Sequence, residues 1–299
     1  MNIRTDLAIE LRENSMAQIA ERDGGEFDGV VFNETESGGV HVSTIDIINE
    51  HGEKKLGKKA GRYVTVSFGN VSSMSFDEYE RACGVIAENI SSMAGRICEE
   101  ADSVLVCGLG NRRFSADAVG VIAAERTVIT RHIKADDPDL FRAAGFFDVS
   151  ALTPGVLAQT GVETLDLVLG AVEKTNPDLI VVIDALAARQ TERLACTVQL
   201  TDTGISPGSG VGNHRSAINK DTAGKPTIAI GVPMVIDSNT LIFDALNSAG
   251  AQTPEKLPPS MFVCPKDVDV MAELVGGMIG YAVNLAFHKN MTLQEMMIM

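Results

Sequence analysis

The sequence predicts an α/β protein with a doubly wound sheet over roughly residues 101–290, and three observations carry that prediction. Short, almost wholly apolar runs at Val104–Cys107, Leu179–Ile183 and Thr227–Val232 have the character of strands buried on both faces. Helical stretches separate them, which is the alternation that builds a parallel sheet covered on both sides. The chain is 299 residues long and 45% hydrophobic, enough for a substantial core. With no tryptophan and only 5% aromatic residues, that core is built from Val, Ile, Leu, Ala and Met.

Taken in order, residues 7–22 set apolar side chains at 7, 11, 16, 19 and 20 among charges, which predicts one amphipathic helix. Residues 29–33, 40–48 and 62–68 are β-rich between glycine-containing turns and predict a small antiparallel sheet. The basic stretch Gly52–Gly61 between the last two is read as a solvated hairpin connection. A long amphipathic helix over 75–100 leads into the Val104 strand, whose end is punctuated by Gly108 and Gly110. A helix is expected next, capped by Ser115 or Asp117. Thr127–Ile129 reads as a short strand and Lys134–Asp139 as a solvated acidic turn, with a helix over 161–175 and a strand that ends on Asp184. Val198–Leu200 is a further strand, followed by a glycine-rich loop over 201–215, and a helix is expected over 237–247. Leu274–Phe287 contains Asn284 and is shorter than the roughly 20 residues a bilayer requires, so it reads as a buried helix. Gly276 and Gly280 would let a neighbour approach it closely.

Net charge is −15, with a pI near 4.7, which repels phosphate backbones and anionic membranes and argues against nucleic acid or membrane as direct partner. Five scattered cysteines, without any Cys-x-x-Cys spacing, are read as reduced thiols. Together with an N-terminus lacking an apolar signal core, they point to a cytoplasmic location.

Asp117 and Asp184 each lie at or just beyond the end of a buried parallel strand, so the fold should bring them to one rim of the sheet. A carboxylate pair in a partly dry cleft separates its pKa values, leaving one group as base and the other as acid for hydrolysis. Each also has a purely structural reading, Asp117 as a helix cap and Asp184 as a strand-end residue. A dinucleotide fingerprint fails because its third glycine would fall at Arg113 and no acid ends the next strand. Asp202-Thr-Gly204 is a single copy of a motif that pepsin-type chemistry needs twice, and reads as a turn. His214 is a loop histidine within reach of the aspartates, and with them would give a metal-dependent alternative. No metal or cofactor is expected.

Longer motifs then carry a resemblance. Arg4-Thr-Asp-Leu-Ala8, Gly108-Leu-Gly-Asn111 with Asp117-Ala118, Ile183-Asp-Ala-Leu-Ala-Ala-Arg189, Ser206-Pro-Gly-Ser-Gly-Val-Gly-Asn213 and Ala229-Ile-Gly-Val-Pro233 resemble the germination protease family of spore-forming bacteria, in order and over nearly the whole chain. The resemblance implies a three-layer α/β/α sandwich similar to hydrogenase maturation peptidases, with the antiparallel strands added. It implies an atypical acid endopeptidase in which Asp117 and Asp184 match the two essential aspartates. Asn111, Ser206, Gly208, Gly210, Asn213 and His214 are expected to line the substrate cleft. It also implies a homotetramer acting in the spore core on small acid-soluble spore proteins, with a catalytically silent binder of those proteins as an alternative. Family zymogens lose an N-terminal segment, and the matching bond here is Asp6–Leu7, which makes residues 1–6 a short pro-segment and 7–299 the peptidase domain. Where the family tends to have prolines around the first aspartate, this chain has Ser115-Ala116 and Val119-Gly-Val121, so proline stiffening of that loop is lost.

Overall fold

In the computed structural model, residues 5–20, 28–208, 215–252, 254, 257–288 and 290–298 are described. Nine strands form one sheet: β1 (Val30–Ser37), β2 (Val40–Ile47), β3 (Gly61–Ser67), β4 (Ser103–Gly108), β5 (Asp148–Leu152), β6 (Leu179–Ala188), β7 (Thr197–Thr201), β8 (Thr227–Asp237) and β9 (Phe262–Val263). Their order is β1-β2-β3-β7-β8-β6-β4-β5, with β9 pairing to the far end of β8. The strands β8, β6, β4 and β5 are mutually parallel, and β7 runs antiparallel to both β8 and β3. The three N-terminal antiparallel strands therefore continue the main sheet through β3 and β7.

The sheet is covered on both faces. On one, the helices Phe76–Ile97, Val119–Glu125 and Val268–Phe287 pack on Val104, Val106, Val181, Ile183, Ile228 and Ile230. On the other, the helix Thr164–Thr175 packs on Leu105, Cys107, Ile180 and Val182. The helix Ala8–Ala20 covers the antiparallel end of that second face, where Leu7, Ala8 and Ile9 meet Ile45, Tyr63, Leu186 and Ile236. Its first turn is pinned by Glu10, whose carboxylate accepts from the N–H groups of Arg189 at 2.8 Å and Gln190 at 2.9 Å.

Helix Val268–Phe287 has 20 residues, long and apolar enough to cross a membrane by length alone, yet it is a core helix. A Cβ on Gly276 would stand 2.8 Å from Ile122, and one on Gly280 would stand 2.6 Å from the carbonyl of Ala123. The glycines thus let it lie directly on Val119–Glu125.

Four local expectations change. Residues 127–129 are not a strand: Thr127 bonds back to Ala123, and Val128 donates to Asn284 Oδ1 at 2.8 Å, so the segment is tied to the C-terminal helix. The strand beside β4 is β5, which the sequence reading passed over. Lys134–Asp139 belongs to two short helices, Arg131–Asp136 and Pro138–Ala144, with the Asp137 side chain capping the second. The basic stretch 52–61 is not simply solvated. It holds the helix Glu50–Leu56 and then folds Lys58 inward, where its Nζ reaches the carbonyl of Asp6 at 2.9 Å.

Candidate active site

The site forms where β4 stops and β6 continues. The β4–β6 pairing ends at Gly108↔Ile183, while β6 runs on to Ala188 alongside β8. Asp184 is therefore inside a strand, contrary to the expectation that the strand ends there, yet it is the first residue beyond the reach of β4. Its side chain faces the gap. Asp184 is 7% exposed, and its Oδ1 accepts from the N–H of Ala185 at 2.9 Å.

Asp117 reaches the same gap from the turn that follows β4. Gly110 takes a φ of +102°, and a Cβ there would stand 2.0 Å from the carbonyl oxygen of Asp117, so only glycine fits. The N–H of Asn111 donates to that carbonyl at 2.9 Å and closes the turn. A one-turn 3₁₀ helix, Ser115–Asp117, then precedes Val119–Glu125, and neither Ser115 nor Asp117 caps it through a side chain. The capping role is thus not what holds Asp117. Gly108 and Gly120 close the joint, since a Cβ on Gly108 would meet the Gly120 carbonyl at 2.2 Å and one on Gly120 the Ile183 carbonyl at 2.3 Å.

Both aspartates line a cavity of about 230 Å³ whose apolar wall includes Phe114, Leu186, Val235 and Phe262, with Asp6, Ser206 and Gly208 on its rim. A smaller cavity on their other side, about 130 Å³, adds Gly110, Thr164 and Arg215. Burial pushes the Asp117 carboxyl up to about 6, against the opposing pull of the Asn111 N–H and the Arg215 guanidinium. Asp184 is pushed further, to about 8, by burial first and then by the negative charges of Asp117 and Asp6, with the Ala185 N–H pulling the other way. Near neutral pH one carboxylate is ionised and the other holds its proton, the division of labour that water-mediated hydrolysis needs.

Of the expected cleft residues, Ser206 and Gly208 border this cavity, whereas Asn111 points elsewhere: its Oδ1 accepts from Arg113 N–H and from Gln159 Nε2 at 2.7 Å, so it organises the turn. Gly210, Asn213 and His214 lie outside the described residues. Asp6 lines the cavity, and Leu7 lies beside it in the core. Asp6 Oδ2 accepts from the N–H of Ala187 at 2.9 Å, its own N–H donates to the Ala187 carbonyl, and Leu7 is fully buried. Among the described residues no group of three or more His, Cys, Asp or Glu side chains is placed to hold a metal ion.

Sequence reasoning missed Arg215, Lys58 and the apolar wall. Arg215 closes the glycine-rich loop, and its buried Nη1 has no hydrogen-bond partner among the described residues. Phe114, three residues before Asp117 and 60% exposed, was legible as an apolar side chain in a polar turn.

Two buried or half-buried aspartates, both with raised carboxyl pKa values, thus share one cavity at the rim of the sheet. The germination protease family profile matches residues 7–249, and this chain belongs to that family. A germination protease of Clostridium perfringens (strain ATCC 13124) is 38% identical over 98% of both chains. That of Caldanaerobacter subterraneus is 36% identical over 99% of this chain and 97% of its own. That of Bacillus subtilis is 41% identical over 82% of this chain and 66% of its own. Among solved structures, a NiFe hydrogenase maturation protease from Thermococcus kodakarensis matches 63% of this chain and 97% of its own, at 18% identity and a TM-score of 0.35.

Proposed function

We propose that this protein is the endopeptidase that begins the degradation of small acid-soluble spore proteins in the spore core at germination, with Asp117 as general base and Asp184 as general acid. The observation that carries the reading is that Asp117 and Asp184 line one cavity where β4 stops and β6 runs on, and burial there raises both carboxyl pKa values, that of Asp184 the further. Asp117 takes a proton from a water held between the two groups, and Asp184 gives its proton to the departing amine. The apolar wall of Phe114, Leu186, Val235 and Phe262 receives a hydrophobic substrate side chain next to the cut. The net charge of −15 disfavours contact with DNA, so the substrate is the coat protein once released.

Autoprocessing at Asp6–Leu7 belongs to the same reading, as does assembly into a homotetramer. Asp6 is held against β6 three residues beyond Asp184, in the place a substrate residue would occupy. The test is incubation with a purified small acid-soluble spore protein and mapping of the cut bonds, alongside mass spectrometry of the enzyme's own N-terminus. Expected are a few discrete cuts, none with Asp117→Asn or Asp184→Asn, and a processed chain that begins at Leu7. An active enzyme with an intact N-terminus overturns the processing step, and full activity in either mutant overturns the mechanism.

A further inference from the structure

The carbonyl oxygen of the Asp6–Leu7 peptide bond is gripped by two side chains from distant parts of the chain. Lys58 donates to it from Nζ at 2.9 Å, and Gln199 donates from Nε2 at 3.3 Å. The other end of the Gln199 amide, Oε1, accepts from the N–H of Ala8 at 2.7 Å, so one side chain spans the bond. Gln199 lies on β7 and is buried, and Lys58 follows the helix Glu50–Leu56 into a cavity of about 320 Å³ that also contains Asp6 and Leu186. Asp6 and Leu186 line the aspartate cavity too. Asp6 therefore stands at the junction, with the aspartate pair on one side and Lys58 and Gln199 on the other.

The chemistry of this contact is unusual. A buried ammonium loses hydration, a loss that drives its pKa down as burial does for Lys58. Its hydrogen bond goes to a neutral backbone carbonyl, while the Asp6 carboxylate acts on it only through space and offsets part of that loss. If negative charge developed on that oxygen, the same contact would become an ion pair without any atom moving. Interactions that strengthen only as the reaction proceeds are the ones that raise its rate.

We propose that Lys58, with Gln199, is the oxyanion clamp of the peptidase reaction, holding the scissile carbonyl of the chain's own N-terminal segment and then that of a substrate in the same place. The proposal rests on the aspartate-pair reading above. As a water oxygen bonds to the carbonyl carbon, Asp117 takes one of the water's protons and the C=O π pair moves onto the oxygen facing Lys58 and Gln199. On collapse that pair re-forms the C=O bond, the C–N bond breaks, and the nitrogen takes the proton from Asp184. One water is consumed, a carboxyl and an amine group are released, and the proton on Asp117 passes to Asp184 to reset the pair.

The full-length protein carrying Lys58→Met, Lys58→Arg or Lys58→Gln is compared with the parent in two assays. One is the rate of self-cleavage at Asp6–Leu7, and the other is kcat and KM on a purified small acid-soluble spore protein. Loss of one oxyanion donor predicts a fall of roughly 10²–10³-fold in kcat for Lys58→Met. KM should stay within about threefold of the parent, and Lys58→Arg should keep at least about a tenth of parental kcat by retaining a charged donor. Should Lys58→Met fail to fold, Lys58→Gln decides by the same kcat. A residue that merely straps down the N-terminus would change self-cleavage or KM and leave kcat alone, so a kcat within threefold of the parent overturns the proposal. Asp117→Asn and Asp184→Asn run in parallel. If they are dead while Lys58→Met keeps full kcat, only the clamp is wrong, and if they remain active, both readings fall.

Discussion

The two aspartates come to one cavity by opposite means. Asp184 sits in β6, paired to β8 through Asp184↔Gly231, and the ladder fixes it in place. Asp117 hangs from a turn that depends on Gly110, on the Asn111 N–H and on a single 3₁₀ turn. The strand-borne group is surrounded by sheet and its carboxyl pKa is pushed up to about 8, whereas the turn-borne group is half-buried beside Arg215 and is raised less, to about 6. Placement in a strand secures position at the cost of desolvation, and a turn leaves the charge near water and a cation. Under the proposed mechanism, the difference in support is also the difference between acid and base.

The largest test of that contrast is Gly110→Ala, where the added Cβ meets the carbonyl of Asp117 at 2.0 Å and the φ is +102°. A displacement of about 1 Å costs on the order of 100-fold in rate, so kcat/KM should drop by about that much while circular dichroism shows the sheet intact. The matching change on the strand side, Gly231→Ala, meets a side chain and no backbone, Leu186 Cδ1 at 2.3 Å and Cγ at 2.5 Å, at an ordinary φ, and should cost less than Gly110→Ala. Equal losses would mean that the turn is no more delicate than the strand.

A second test is the pH profile. Activity should fall below about pH 6 as Asp117 gains its proton and above about pH 8 as Asp184 loses it. Stability carries a matching signature. The folded state holds the Asp184 proton more tightly than the unfolded chain does, so stability falls as pH rises from about 4 to about 8 and the loss is complete above that window. Asp184→Asn removes this slope, and its Tm relative to the parent should climb between pH 5 and about pH 8 and level off above it. A constant difference in Tm would show that Asp184 is not the buried acid.

The smallest expected effect lies at Ala116→Pro. Ala116 occupies the second position of the 3₁₀ turn, where a fixed φ near −65° is tolerated. Stiffening there should raise stability by roughly 0.4–1 kcal/mol, measured by denaturant midpoint, with kcat little changed. A large loss of activity would mean that the turn must flex to deliver Asp117.

Much of this molecule follows from local sequence. The runs Val104–Cys107, Leu179–Ile183 and Thr227–Val232 had to be buried strands because nothing polar interrupts them, and Gly108 and Gly110 had to mark a sharp turn because few other residues accept such approach. The motifs around Asp117 and Asp184 singled out both carboxylates. Tertiary structure alone decided the rest. The antiparallel insertion of β7 and the choice of β5 over residues 127–129 depend on partners more than a dozen residues away. The basic stretch 52–61 has the composition of a solvated loop, and only the fold turns Lys58 inward to the Asp6 carbonyl. Which aspartate keeps its proton was likewise unreadable, because desolvation and through-space charge are properties of the packed neighbours of a carboxyl group and not of its place in the chain.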